Sequence, residues 1–144
     1  MHDIEIRQEI IDRVLARRGR LHIFDHFKPA ETALVVIDMQ ATFVAPGSPV
    51  EVPAARGIVD NINSLAAALR ELGVIICWVT NANSPVGDGS DWDGFFNNFV
   101  AEDVRARTIE SLMQGNPDTL VWRDLDVLPS DVHIFKSRYS ALIS

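Results

Sequence analysis

Two charged residues directly follow apolar segments, and their types suit acid–base chemistry. Asp38 comes after the β-branched run at residues 33–37, and Lys136 comes after a shorter apolar run at residues 132–135. A third run, at residues 74–79, is followed by Thr80 and Asn81. A carboxylate beside an ammonium group stays ionised at neutral pH and can serve as a general base. Position alone leaves a second interpretation equally open, namely an ion pair that only caps two strands.

Other chemistry-bearing residues lack the context that their chemistry requires. The single cysteine, Cys77, lies inside an apolar run between Ile76 and Trp78, which predicts a small buried hydrophobe and not a nucleophile. His133 lies within an apolar run, the other three histidines lie outside the predicted sheet, and residues 82–94 contain no histidine, so neither a metal nor another cofactor is expected. No serine sits in a nucleophile elbow, and no glycine-rich turn follows the first two runs.

The elements that carry these residues follow from the hydrophobic pattern. The first run does not alternate with polar residues, which indicates a strand buried on both faces, as in a parallel sheet, and the other two runs are predicted to be further buried strands of the same sheet. Residues 54–72 repeat apolar side chains at helical spacing, so strand, helix and strand form a βαβ unit in an α/β fold. Residues 82–94 are predicted to be a polar loop and residues 101–114 a short helix. Ligands bind at the carboxyl ends of parallel strands, so Asp38 and Lys136 are expected in one cleft, with Asn81 or the 82–94 loop nearby.

The first thirty residues form a separate part of the predicted organisation. Residues 3–18 have the spacing of an amphipathic helix that stops at Gly19, and a connector follows to residue 30. The chain therefore divides into an N-terminal helix with its connector, 1–30, and the N-terminal part of one domain, 31–144. The helix either docks on a partner subunit, lids a site, or covers its own domain, and the pattern does not choose among these.

Composition and charge exclude several classes of protein. The chain has 144 residues, of which 47% are hydrophobic and 23% charged, as in one globular domain. Its net charge is −7, and residues 31–144 carry fifteen acidic against seven basic groups, which argues against nucleic-acid partners. No apolar run approaches the roughly 20 residues that span a membrane. A lone cysteine and no secretory signal predict a cytoplasmic location.

Three segments together resemble a known family. These are residues 32–40 (TALVVIDMQ) followed by Phe43, residues 74–81 (VIICWVTN) and residues 132–141 (VHIFKSRYSA). In this order and spacing they resemble the isochorismatase-like cysteine hydrolases over residues 31–144. The resemblance implies a three-layer αβα fold around a mostly parallel sheet of about six strands. It also implies an assembly of several copies of the chain.

The resemblance implies a function as well. Family members are mostly amidohydrolases with an Asp–Lys–Cys triad, in which Asp38 would be the general base and Lys136 would position it and steady the thiolate. Their small-molecule substrates include carbamoyl and ureido compounds, maleamate, nicotinamide and isochorismate. The residues expected to line the substrate pocket are Phe43, Asn81, Trp92, Phe95 and Tyr139, although ordinary packing explains each of the aromatic residues equally well.

Two departures from the family pattern limit this assignment. The nicotinamidase branch has an Asp-x-His metal motif after the second strand, whereas residues 81–93 contain no histidine. The family's nucleophilic cysteine follows the lysine segment by some thirty residues, and Cys77 does not match that position. The fold is therefore expected to be truncated, with the cysteine supplied by a separate C-terminal segment and with residues 1–144 inactive alone.

Two alternatives remain beside a cysteine amidohydrolase. One is an isochorismatase-type vinyl-ether hydrolase that uses Asp38 as an acid and needs no thiol. The other is a non-catalytic scaffold that binds a partner through the N-terminal helix. The absent nucleophile favours the scaffold, whereas the presence of both Asp38 and Lys136 favours an enzyme.

Overall fold

The computed structural model describes residues 5–84 and 93–142, and the side chain of Asp93 is not described. Its helices and strands, in chain order, are α1 (Gln8–Arg18), β1 (Ala33–Ile37), α2 (Ala41–Val44), α3 (Val59–Glu71), β2 (Ile75–Asn81), α4 (Asp93–Phe99), α5 (Glu102–Ser111) and β3 (Val132–Lys136). Short 3-10 turns occupy Pro29–Glu31, Pro53–Ile58 and Pro117–Thr119. No helix of the described residues has the length and apolar character required to cross a membrane.

The three strands form one parallel sheet in the order β1-β2-β3, so β2 lies in the middle. Ile37 is level with Val79, and Asn81 is level with Lys136. Because the strands run in the same direction, their carboxyl ends meet at one edge of the sheet. The predicted α/β fold with a parallel sheet is confirmed.

One face of the sheet contains the core over β1 and β2, whereas His133 and Phe135 of β3 on the same face are exposed. Val36, Ile76 and Trp78 pack in one cluster with Val59 and Ala66 of helix α3. Trp122 and Leu125, from the segment that precedes β3, complete this cluster. The predicted helix at 54–72 is divided, since the 3-10 turn Pro53–Ile58 precedes α3. Proline at the first position and Gly57 explain this difference, because neither residue favours continuation of a regular helix.

The opposite face of the sheet, here called the open face, exposes apolar side chains. They are 40–54% exposed and comprise Val35, Ile37, Ile75, Val132 and Ile134. The expectation that every strand is buried on both faces is therefore wrong for β1 and β3. Cys77 and Val79 of the central strand are buried on this face because the side chains of the two flanking strands shield them, whereas Ile75 at the start of β2 is exposed.

Several predicted boundaries differ from the observed elements. Helix α1 begins at Gln8 and ends before Gly19, whose φ of 71° and N–H bond to Leu15 form a left-handed cap. None of its residues is buried. Helices α2 and α4 were not predicted because each is too short to show a hydrophobic period. Residues 85–92, most of the predicted loop, lie outside the described residues.

Candidate active site

Asp38 and Lys136 form an ion pair at the carboxyl edge of the sheet. The Lys136 Nζ lies 3.0 Å from the Asp38 Oδ1. Asp38 has a φ of 59°, in the left-handed region that aspartate tolerates better than most residues. A regular continuation of β1 would turn Asp38 away from the face that carries Lys136. The strained backbone at Asp38 therefore lets the pair meet across the end of β2.

The two partners of this ion pair differ in exposure. The Lys136 side chain is 2% exposed, whereas that of Asp38 is 38% exposed. Lys136 also donates a hydrogen bond to the backbone carbonyl of Arg138 at 3.2 Å. Among the described residues no well-aligned hydrogen bond reaches Asp38 Oδ1, despite the short ion-pair distance. The carboxylate thus has acceptor capacity left for a proton from a substrate or nucleophile.

Gln40 positions Asn81 beside this pair. Gln40 is completely buried. Its Oε1 accepts from the Asn81 backbone N–H at 2.6 Å, and its Nε2 donates to the Asn81 carbonyl at 2.9 Å. These two hydrogen bonds hold the end of β2 against the segment that follows β1. Sequence reasoning did not assign Gln40 a role, and the only available signal was a polar residue soon after a buried strand.

The predicted pocket residues are only partly brought together. Asn81 is level with Lys136, and its side-chain Oδ1 is buried with no hydrogen-bond partner in the described part of the chain. Phe43 is half-buried on α2. Tyr139 is 73% exposed, and its ring packs edge-on against Phe95 at 5.6 Å between centroids. Trp92 lies outside the described residues.

Cys77 is placed where a nucleophile cannot work. It is buried in β2, level with Val35 and Val132, and desolvation raises the pKa of its thiol. The prediction that Cys77 is buried is confirmed. Residues 5–84 and 93–142 contain no group of three or more His, Cys, Asp or Glu side chains that could hold a metal ion.

Comparison with known proteins identifies the family. Residues 32–144 match the sequence pattern of the isochorismatase domain. The chain belongs to the isochorismatase family. It is 27% identical over 129 residues to the ureidoacrylate amidohydrolase RutB of Cronobacter turicensis, covering 82% of this chain and 56% of that protein. The corresponding protein of Klebsiella pneumoniae is 38% identical over 60 residues, covering 38% of this chain and 25% of its own length.

Solved structures support the same isochorismatase fold. A cysteine hydrolase from Pseudomonas syringae pv. phaseolicola superposes with a TM-score of 0.67 at 28% identity, covering 81% of this chain and 51% of that one. An isochorismatase family protein from Desulfovibrio vulgaris gives a TM-score of 0.60 at 31% identity, covering 78% and 55%. N-carbamoylsarcosine amidase from Thermoplasma acidophilum, 20% identical with a TM-score of 0.57 and coverages of 78% and 55%, shares the fold.

These comparisons confirm the family and fold that the sequence resemblance predicted. The chain spans about half the length of the relatives whose sequences or structures align with most of it, 56% of the Cronobacter protein and 51% of the Pseudomonas one. Activity, substrate and partners of the whole protein are therefore matters for proposal.

Proposed function

We propose that this chain supplies the acid–base pair of an amidohydrolase that cleaves a C–N bond in a small carbamoyl or ureido compound. The observation that carries the proposal is the Lys136–Asp38 ion pair, 3.0 Å long, in which a 2%-exposed ammonium faces a partly exposed carboxylate. An isolated buried ammonium is costly, so Lys136 requires the Asp38 carboxylate as its counter-charge. An ionised carboxylate with a free acceptor oxygen is what a general base requires.

Two further observations support a substrate rich in N–H groups. Asn81 Oδ1 is a buried acceptor without a hydrogen-bond donor among the described residues, and Asp38 Oδ1 meets Lys136 Nζ at 3.0 Å in an ion pair without the alignment of a hydrogen bond. A ureido or carbamoyl group offers several N–H donors, which complement such acceptors. The relatives in Cronobacter and Klebsiella are ureidoacrylate amidohydrolases.

In the proposed mechanism Asp38 takes the proton from a cysteine thiol that lies outside this chain. The thiolate attacks the substrate carbonyl carbon, and the resulting tetrahedral adduct expels the amine, which receives the proton. Water then hydrolyses the resulting thiocarbamate, which releases a carbamic acid and restores the thiol. Lys136 positions Asp38 throughout and steadies the thiolate. Burial and a raised pKa make Cys77 unsuitable for this role.

The segment that brings the thiol is proposed to dock on the open face of the sheet. That face exposes apolar side chains, and Asn81 and Lys136 lie on the same side of their strands as these residues. A segment covering it would bury them and reach the carboxyl edge. The assembled protein is proposed to act in the cytoplasm as a homo-oligomer on a small molecule.

The test measures turnover of ureido and carbamoyl compounds by the protein from its native source, after its intact mass is determined. We expect a mass above 16.0 kDa or a second co-purifying polypeptide, and activity that iodoacetamide abolishes. Asp38→Asn should lower kcat at least a hundredfold, whereas the exposed Asp60→Asn should not. Turnover of isochorismate, included in the same substrate panel, that survives alkylation would favour the vinyl-ether hydrolase, and no turnover of any substrate would favour the scaffold.

A further inference from the structure

Asn83 carries a side-chain carboxamide that is buried without a hydrogen-bond partner. The residue is 4% exposed. Neither its Oδ1 nor its Nδ2 meets a hydrogen-bonding group in the part of the chain that the structure describes. Its backbone, by contrast, donates to the Leu112 carbonyl at 2.7 Å and accepts from the Gln114 N–H at 2.9 Å. Leaving a buried amide unpaired is costly, so a bound partner is the expected reason for it.

The backbone places Asn83 beyond the ion pair, along the direction of β2. The Ala82 N–H donates to the Lys136 carbonyl at 2.9 Å, so the extended path continues past Asn81. Asn83 then pairs with Met113 as an isolated parallel bridge. Side chains two residues apart in an extended segment lie on the same side, about 7 Å apart. Asn83 therefore lies on the side that carries Asn81 and Lys136, at the far end of a substrate that reacts at Asp38.

The chemistry of the unpaired atoms restricts what can bind. A carboxamide presents one acceptor and two donors side by side. A neutral carboxamide on the ligand pairs with it in both directions, accepting from Nδ2 and donating to Oδ1. A carboxylate only accepts, so it would leave the Asn83 Oδ1 unsatisfied. Asn81 Oδ1, the next buried acceptor along β2, also lacks a donor among the described residues.

We infer that Asn83 determines specificity and selects substrates whose end remote from the scissile bond is a neutral carboxamide and not a carboxylate. This inference rests on the proposed function for the position of the scissile bond. Asn83 acts on binding only, and the acid–base pair does not depend on it.

The experiment uses two probes that differ only at the remote end, 3-ureidopropionamide and 3-ureidopropionate. Each is titrated into the protein as expressed in its native source, with any co-purifying polypeptide retained, and its affinity is measured by NMR, which also follows any turnover of the probe. We expect the amide to bind about tenfold more tightly than the carboxylate. Asn83→Leu should lower the affinity for the amide about ten- to a hundredfold and leave that for the carboxylate unchanged. The matched control Asn61→Leu, at an exposed position of α3, should change neither affinity.

Thermal unfolding separates recognition from a structural role. Replacing an unpaired buried amide by an apolar side chain of similar size should leave Tm unchanged or raise it. If Asn83→Leu does not fold, Asn83→Asp keeps the shape of the side chain. It should lower the affinity for the amide probe at least tenfold, because it removes the Nδ2 donor. Equal binding of the two probes by the wild type, or unchanged amide affinity in the variant, would overturn the inference. A lower Tm of Asn83→Leu together with a lower affinity for both probes would also overturn it.

Binding preference and turnover test the role of Asn83 and the hydrolase assignment separately. A preference for the amide that depends on Asn83, without turnover in the native protein, would overturn the proposed hydrolase and retain Asn83 as a recognition residue. Turnover of ureido acids without that preference would retain the hydrolase and overturn the role of Asn83.

Discussion

The unequal exposure of Asp38 and Lys136 determines how each responds to substitution. Asp38→Asn keeps a residue that tolerates a φ of 59°, so the variant tests the charge and not the backbone. It leaves a 2%-exposed ammonium without its counter-charge. We expect the free energy of unfolding to fall by roughly 2–3 kcal/mol, as for a broken buried pair whose surviving partner keeps one hydrogen bond.

Replacing Lys136 is expected to lower the free energy of unfolding less than replacing Asp38. Lys136→Met retains the apolar stem and removes the buried charge, while water can still reach the partly exposed Asp38. Its free energy of unfolding should therefore lie within about 1 kcal/mol of the wild type. Urea denaturation followed by circular dichroism measures both variants. Equal losses for the two substitutions would contradict the asymmetry that the structure shows.

At the level of the secondary-structure elements, one buried carboxylate, that of Asp131, accepts hydrogen bonds from both helix α3 and strand β2. Asp131 Oδ2 accepts from Arg70 Nη2 of α3 at 2.6 Å and from the Trp78 indole of β2 at 2.8 Å. It also accepts from the Leu128 backbone N–H at 2.9 Å. Burial acts to raise the pKa of Asp131, but the hydrogen bonds from Arg70, Leu128 and Trp78 outweigh it and lower the pKa. Asp131 therefore connects α3, β2 and the loop before β3.

This network predicts a pH dependence of stability. Because the pKa of Asp131 is lower in the folded state than in the unfolded one, its contribution is present above about pH 4 and is lost as the pH falls through the folded value. In Asp131→Asn the side chain keeps one acceptor oxygen, and an NH₂ group replaces the other. Neither arrangement reproduces a charged carboxylate at the point where three donors converge. We expect a loss of about 2–3 kcal/mol at pH 7 and a smaller further loss between pH 5 and 3 than in the wild type.

Thermal unfolding at a series of pH values measures this prediction. Asp60→Asn, at an exposed position of the same helix, is the matched control and should follow the wild-type curve. A wild-type stability that does not change below pH 4, or an Asp131→Asn curve parallel to it, would show that the carboxylate is not the group responsible.

For the chain as a whole, the open face governs its behaviour in solution. Two of its members, Ile37 and Ile134, are 53% and 40% exposed and lie on the edge strands. Exposed apolar edges promote association between chains. We expect residues 1–144 to self-associate, and the double substitution Ile37→Thr with Ile134→Thr to reduce this while preserving strand propensity.

Sedimentation velocity over a range of concentrations tests the expectation. Leu120→Thr removes an apolar side chain that is 59% exposed outside the sheet and serves as the control. Association that persists in the double variant, or that the control reduces equally, would place the contact elsewhere. The outcome also bears on the proposed docking of the thiol-bearing segment, since both use the same surface.

The amino-acid sequence by itself determined the strands, the main helix and the ion pair. Each strand was visible because a continuous apolar run is a local signal, and Asp38 and Lys136 were visible because a charge ends such a run. Parallel pairing then forces the ends of the strands to one edge. These inferences need only short segments and the general geometry of α/β sheets.

The tertiary structure alone decided which polar groups are satisfied and which are not. Gln40 reaches Asn81 across 41 residues, and the Thr42 hydroxyl contacts the carbonyls of Ser111 and Asp118. No local pattern predicts such long-range bonds, because they depend on how the loops pack over the sheet. The unpaired carboxamide of Asn83 is likewise invisible in the sequence, where asparagine more often indicates a turn. Hydrogen-bond satisfaction depends on three-dimensional neighbours, which hydrophobic period cannot specify.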